Sequence, residues 1–195
     1  MIELFEINDF LDAAARGKIL AEIRTGASAP ATVYGIESGG AVEPVVRKVS
    51  RVEVSYETRK LVRELLFDCR EKIGKHFGVT LDECEEPQFL RYRAGDFFVA
   101  HQDGNTPGIY DESRFRKISI VIFLNAQSAE PLSDTYQGGE LVFHGRYPNY
   151  SYRRAAEPQP GKLVAFRAET THEVIPVSGG ERFTIVSWYR GCSAE

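Results

Sequence analysis

Phe89-Leu90-Arg91-Tyr92-Arg93-Ala94-Gly95-Asp96-Phe97-Phe98-Val99-Ala100-His101-Gln102-Asp103 holds two short runs of aromatic and β-branched residues on either side of Ala94-Gly95-Asp96. Runs of that composition read as strands, and the separator reads as a turn. Side chains alternate along a strand, so His101 and Asp103 face one way at the end of the second run while Gln102 faces the other. One imidazole and one carboxylate then supply two ligands for a divalent ion, and a third must come from elsewhere in the chain.

Toward the C-terminus the same character continues. Ile118 to Leu124, Glu140 to Phe143, Lys162 to Arg167, Glu173 to Val177 and Phe183 to Trp188 read as strands, parted by Gly138-Gly139, Pro160-Gly161 and Ser178-Gly179-Gly180. No helix alternates with these strands, which excludes a doubly wound α/β fold. Seven or eight antiparallel strands in this length predict a closed or sandwich-like barrel with helices against its outside. The long connections Gly104 to Phe115, Asn125 to Gln137 and His144 to Gln159 are candidate rims of a site.

Toward the N-terminus, Ile2 to Phe5 is a possible strand, and Asn8 or Asp9 is placed to cap a helix ending near Gly26. Residues 26 to 50 read as loop with short strand pieces such as Ala31-Thr32-Val33-Tyr34. The clearest helix runs from Ser55 to Phe77, with Leu61, Leu65, Cys69, Ile73 and Phe77 as its apolar stripe, widened by Val62 and Leu66. Its charged residues form a solvated face, and His76 sits at the helix end, where a partly exposed histidine needs no catalytic explanation.

His172 opens a β-branched run and is the natural third ligand. Two histidines and one carboxylate leave positions open on a six-coordinate ion, which suits non-haem iron(II); zinc uses the same donors but usually keeps fewer positions. Arg182 lies across the Ser178-Gly179-Gly180 turn at the start of the last strand, where its fork can grip a carboxylate supplied by a ligand; a surface salt bridge is the ordinary alternative. Tyr92 is a candidate to donate its hydroxyl to that carboxylate, and core packing is an equal use for it. Trp188 and Phe166 read as core or pocket wall, His144 as a surface or rim histidine.

The whole chain, 195 residues and 21.9 kDa, is expected to form one domain, with helical support over 1–84 and a β core over 85–190. A formal net charge of -4 gives no broad basic footprint for nucleic acid or an anionic membrane. Cys69, Cys84 and Cys192 are odd in number and widely spaced, which favours free thiols in a reducing compartment; with no long apolar run or leader pattern, a cytoplasmic location is expected. Oligomeric state is not legible.

Taken together, the segment from Phe89 to Asp103, Ile122-Phe123-Leu124-Asn125, Gly138-Gly139-Glu140-Leu141-Val142-Phe143, Pro160-Gly161-Lys162-Leu163-Val164-Ala165-Phe166, His172-Glu173-Val174 and Gly180-Glu181-Arg182-Phe183 resemble the prolyl 4-hydroxylase-like branch of the iron(II)- and 2-oxoglutarate-dependent oxygenases. The resemblance implies a double-stranded β-helix, a jelly-roll or cupin-like core. It implies iron(II) bound by His101, Asp103 and His172, and the 5-carboxylate of 2-oxoglutarate bound by Arg182 with Tyr92 as helper. Phe123 stands where some relatives carry a tyrosine toward that carboxylate. Dioxygen and 2-oxoglutarate would be consumed, with ascorbate as an assay additive, and a substrate C–H bond hydroxylated. A peptidyl residue, proline favoured, is the substrate the resemblance implies; a free amino acid or small metabolite is the alternative. Asn105, Thr106, Tyr110 and Asp111 could meet an extended peptide, and Arg114, Arg116, Arg146, Arg153 and Arg154 are candidate rim charges, with solvated surface as the default. A barrel that binds metal or carboxylate without oxidation, and a zinc-dependent isomerase or hydrolase, are the readings of other classes.

Overall fold

The computed structural model describes residues 2–32, 42–104, 111–130 and 132–191. The expected strand residues Val33 and Tyr34, the loop residues from Asn105 to Tyr110, and Cys192 lie outside them. In chain order the elements are β1 (Leu4–Ile7), α1 (Ala13–Thr25), β2 (Ser28–Pro30), β3 (Arg47–Lys48), β4 (Ser50–Val52) and α2 (Tyr56–Phe77). Then follow β5 (Leu81–Cys84), β6 (Gln88–Tyr92), β7 (Phe97–His101), β8 (Arg116–Phe123), β9 (Ala126–Gln127) and β10 (Thr135–Gly138). The last are β11 (Leu141–Tyr147), β12 (Tyr150–Ala155), β13 (Leu163–Arg167), β14 (His172–Val174), β15 (Val177–Gly180) and β16 (Arg182–Gly191).

Helix α1 is capped by Asp12, whose side chain accepts from the Ala15 N–H at 2.7 Å. The expected caps, Asn8 and Asp9, instead form the turn after β1, because Leu11 is buried and its N–H bonds to the Gly161 carbonyl, holding the chain out of helix up to residue 12. Helix α2 begins and ends as expected: Ser55 caps Thr58 at 3.1 Å, and Gly78 closes the helix at φ 65. Its buried face is Thr58, Val62, Leu66, Ile73, Gly74 and Phe77, while Leu61 is exposed and Leu65 and Cys69 are half-buried. The predicted stripe is thus rotated, since a four-residue repeat advances about 40° per step on a 3.6-residue helix and cannot keep to one face. Cys69 and Cys84 are free thiols, both raised in pKa by burial.

The strands form an eight-stranded sheet ordered β1-β13-β8-β16-β6-β4-β2 with β5 also on β16, a five-stranded sheet ordered β12-β11-β14-β7-β3, and a three-stranded sheet β15-β10-β9. Alternation along β8 shows how the layers arise. Ile118, Ile120 and Ile122 face the helices and meet Val62, Leu66, Ile73 and Phe77 in one core, whereas Val121 and Phe123 face the five-stranded sheet and join Leu141, Phe143 and Val174 in a second. Ile122 is fully buried, and truncating it to Ala would cost about 2–5 kcal/mol. This is the mainly β architecture with N-terminal helices that was expected.

Four expected boundaries are corrected, and the first is the connection Asn125 to Gln137, which holds β9 and all of β10 except Gly138. The run Glu173 to Val177 is broken at Pro176, which has no N–H to give a ladder, so β14 and β15 belong to different sheets. Ser178-Gly179-Gly180 is not a turn but part of β15, paired with β10. Most of the long connection from His144 to Gln159 is the β11–β12 hairpin, turning at Pro148-Asn149. No helix among the described residues is long and apolar enough to cross a membrane.

Candidate metal centre and carboxylate pocket

Strands β7 and β14 pair antiparallel with His101 opposite His172, and the two imidazole centroids lie 4.2 Å apart. Phe98 stacks on His101 at 3.5 Å, and the edge of Phe166 packs on His172 at 4.7 Å, fixing both rings. Each Nδ1 lies against a carbonyl oxygen two residues back, Val99 at 2.8 Å and Thr170 at 2.9 Å. A carbonyl only accepts, so each Nδ1 carries the proton and each Nε2 presents its lone pair.

Asp103 stands past the end of β7, in a bend held by two N–H bonds, from Asp103 and Gly104, to the Ala168 carbonyl. Gln102 turns away and bonds to the Glu169 carbonyl at 2.7 Å, as alternation predicted. The Asp103 carboxylate lies between the histidines, 3.4 Å from Nε2 of His101 through Oδ1 and 3.4 Å from Nε2 of His172 through Oδ2. Ser119 donates to Oδ2 at 2.7 Å. Donor atoms of the three residues all lie within 4.8 Å of one another.

Burial alone would raise the Asp103 pKa, but His172, His101 and the Ser119 hydroxyl overcome it and hold the carboxyl well below its usual range. Burial, aided by the charge of His101 and opposed by Asp103, pushes His172 down to about 4. At neutral pH His172 therefore offers a free nitrogen lone pair and Asp103 an anionic oxygen, so the donor set fits a divalent cation with positions left open.

Arg182 opens β16 opposite Tyr92 and is 1% exposed. Its guanidinium lies over the rings of Tyr92 at 5.0 Å and Phe123 at 5.5 Å. Nη1 reaches Thr184 Oγ1 at 3.4 Å, while Nε is buried with no partner, and no carboxylate among the described residues forms an ion pair with it. A buried cation in that state is costly until an anion arrives. Tyr92 pairs with Arg182 in register and presents its ring face to the guanidinium, while its hydroxyl acts on Arg47. The buried hydroxyl of Tyr136 also lacks a partner, and Arg182 acts on it electrostatically. Gly139, at φ 68, lets the backbone pass here: a Cβ would sit 2.9 Å from Arg182 Cδ.

Metal donors and Arg182 line one cavity, walled by Leu141, Val174 and Trp188. The larger groove between α2 and β5, lined by Arg63, Phe67 and Cys84, contains none of the metal donors.

Several residues were read otherwise from sequence. Arg116 is not a rim charge: it is 5% exposed, bonds Glu85 through two nitrogens at 2.9 and 2.7 Å, stacks over Trp188 and reaches the Asp103 carbonyl. Arg114, Arg146 and Arg154 are exposed, and Arg153 pairs with Glu173. Glu173 also takes His144 Nε2 at 3.0 Å, and His144 is not one of the three clustered donors. Arg47, Tyr136, Ser119 and Thr184 were missed. Thr184 was findable, two residues from Arg182 on the same strand face; Arg47 and Tyr136 lie in stretches with no strand signal.

A family model described as the 2OG-Fe(II) oxygenase superfamily matches residues 87–190. A PKHD-type hydroxylase of Shewanella sp. (strain MR-7) is 37% identical over 102 residues, covering 52% of this chain and 41% of that protein. The chain thus spans less than half the length of that relative. The crystal structure of a Pseudomonas putida prolyl-4-hydroxylase superposes with a TM-score of 0.73 at 22% identity, over 99% of this chain and 95% of the other. A Trichoplax adhaerens prolyl hydroxylase in complex with a hypoxia inducible factor peptide fragment gives 0.69 at 17% identity, over 96% and 83%. At these identities the superpositions show a common fold.

Proposed function

The chain belongs to the 2OG-Fe(II) oxygenase superfamily, and from that premise we propose that it is an iron(II)- and 2-oxoglutarate-dependent dioxygenase hydroxylating a substrate C–H bond. The observation that carries this reading is the buried Arg182, without a counterion among the described residues, in one cavity with His101, Asp103 and His172. A metal-only protein would have no use for that cation. His101, Asp103 and His172 would hold the iron, and Arg182 the far carboxylate of 2-oxoglutarate, with Thr184 and Tyr136 as polar neighbours. When bound, the iron and its cosubstrate supply oxidative decarboxylation coupled to hydroxylation.

The chain's own residues orient and shield. Carbonyl partners on both Nδ1 atoms aim the Nε2 lone pairs, Ser119 orients Asp103, and the rings of Phe98 and Phe166 keep bulk water off the imidazoles. Residues 85–190 would be the catalytic core and 1–84 its support.

For substrate we favour a peptidyl residue, proline first, on the likeness to folds that include a peptide-bound prolyl hydroxylase. A free amino acid or small metabolite is the second reading, supported by a further buried cation in the cavity, Arg47. Iron-loaded protein incubated with 2-oxoglutarate and either a peptide pool or a metabolite pool tests both. A mass gain of about 16 Da coupled to succinate is expected; binding without succinate would reject the oxygenase in favour of a binding protein, and activity without dioxygen would favour a zinc enzyme.

A further inference from the structure

Arg47 belongs to β3, the edge strand beside the metal-bearing strand, and pairs with Phe98 in register. It is 8% exposed. Its guanidinium lies over the Phe98 ring at 4.8 Å, on a side chain that itself stacks against His101 at 3.5 Å. Nη1 donates to the Thr32 carbonyl at 2.8 Å, which fixes the side chain, while Nε is buried with no partner. It lines the same cavity as the metal donors and Arg182, and among the described residues no carboxylate pairs with it. Tyr92, through its hydroxyl, and then Asp103 act favourably on it, with Arg116 opposing; Asp103 is the one carboxylate among them, and it is committed to the histidines.

The charge balance shows what is missing. Asp103 and a dianionic cosubstrate neutralise all but one of the positive charges of a divalent cation, Arg182 and Arg47. A surplus buried cation is unfavourable unless a ligand anion completes the site. Arg182 stands on the eight-stranded sheet and Arg47 on the five-stranded one. Arg47 therefore lies on the other wall of the cavity from Arg182.

Resting on the oxygenase reading, we propose that Arg47 determines substrate specificity by gripping a carboxylate of the primary substrate. That carboxylate is either the α-carboxylate of a free amino acid or an acidic side chain next to the hydroxylated residue of a peptide. Arg47 forms the subsite, its guanidinium held over the Phe98 ring in the cavity of the metal donors.

The test uses two matched probe sets with iron(II) and 2-oxoglutarate: free L-amino acids against their carboxamides, and end-blocked proline peptides carrying Asp against the same peptides carrying Asn. Binding is read anaerobically as a shift of the visible band of the iron–2-oxoglutarate protein, and turnover as succinate. At least one acid is expected to bind and be oxidised, with its neutral counterpart weaker on the order of 30- to 1000-fold. The set in which this occurs identifies the carboxylate's source. Arg47→Met, which keeps the stem on Phe98, should erase the preference while leaving 2-oxoglutarate affinity within about threefold, and Arg47→Lys should restore part of it. Equal use of acid and neutral probes, or binding of no acid, overturns the proposal. So does a loss of 2-oxoglutarate affinity in Arg47→Met as large as in Arg182→Ala, which would make Arg47 a cosubstrate residue. Failure of the visible band to form at all would instead sink the oxygenase reading.

Discussion

His101 and His172 face one another across the β7–β14 ladder, and each turns Nε2 toward a different oxygen of Asp103 at 3.4 Å. Such a pair, with its lone pairs converging on an anion, calls for a cation. Anaerobic titration should give a weak visible charge-transfer band only when iron(II) and 2-oxoglutarate are both present. Asp103→Ala and His172→Ala should lose it. A metal-loaded crystal structure in which the three side chains do not meet one ion would reject the assignment.

Ser119→Ala removes the 2.7 Å hydrogen bond that orients Asp103 but no ligand. Iron affinity should fall roughly 10- to 100-fold. Unchanged affinity by competition with a chelator would show that the Ala168 backbone bonds position Asp103 unaided.

Arg182→Ala should weaken 2-oxoglutarate binding by about 2–4 kcal/mol, or roughly 30- to 1000-fold, and leave iron binding nearly intact. Arg182→Lys should recover part of the loss, since the charge survives and the fork does not. Calorimetry showing equal cosubstrate affinity in the Ala variant would assign the carboxylate elsewhere.

Metal-free protein should lose stability as pH falls from about 6.5 toward 4. The His172 pKa is depressed to about 4 from an ordinary 6.5, so in that window the unfolded chain binds the proton and the folded one does not. The contribution is fully present above pH 6.5 and lost on approach to 4, on the order of 3 kcal/mol. Urea unfolding at a series of pH values measures it, and a His172→Asn variant should flatten the slope. Iron should steepen the acid loss, because protons then compete with metal.

Gly139→Ala should lower the melting temperature and 2-oxoglutarate affinity together. A left-handed backbone at φ 68 costs a side chain about 1–2 kcal/mol, and its Cβ would push on Arg182 Cδ. Gly17→Ala is the control: it is exposed on α1 with nothing within 4 Å, and should stabilise by about 1 kcal/mol or less. Equal effects at both positions would contradict the packing described.

The site was legible where chemistry and period coincide. His-x-Asp at a strand end, a histidine opening another strand and an arginine starting the last one are local signals, and the structure brings all four residues into one cavity. What was illegible depended on pairing over long separations. Arg47 sits in a two-residue strand defined only by its partner β7, and Tyr136 in a strand whose partners are β15 and β9. Arg116 looked like surface because its partner Glu85 lies 31 residues earlier. Arg182 faces the cavity with Thr184, Val186 and Trp188 as its companions on the wall, while its apolar neighbours Phe183 and Ile185 face the helices.

Strand β16 runs between β8 and β6 in the middle of the eight-stranded sheet, pairs with β5 as well, and begins with Arg182. During synthesis the ribosome delivers this strand after every strand it must join. A nascent chain that has exposed only residues through β15 holds the metal ligands but has a slot down the centre of its main sheet, and edges of β8 and β6 open to wrong partners. On the proposed role of Arg182, cosubstrate capture would be withheld until the sheet is closed, and a chain stalled before Arg182 is released would bind metal at most.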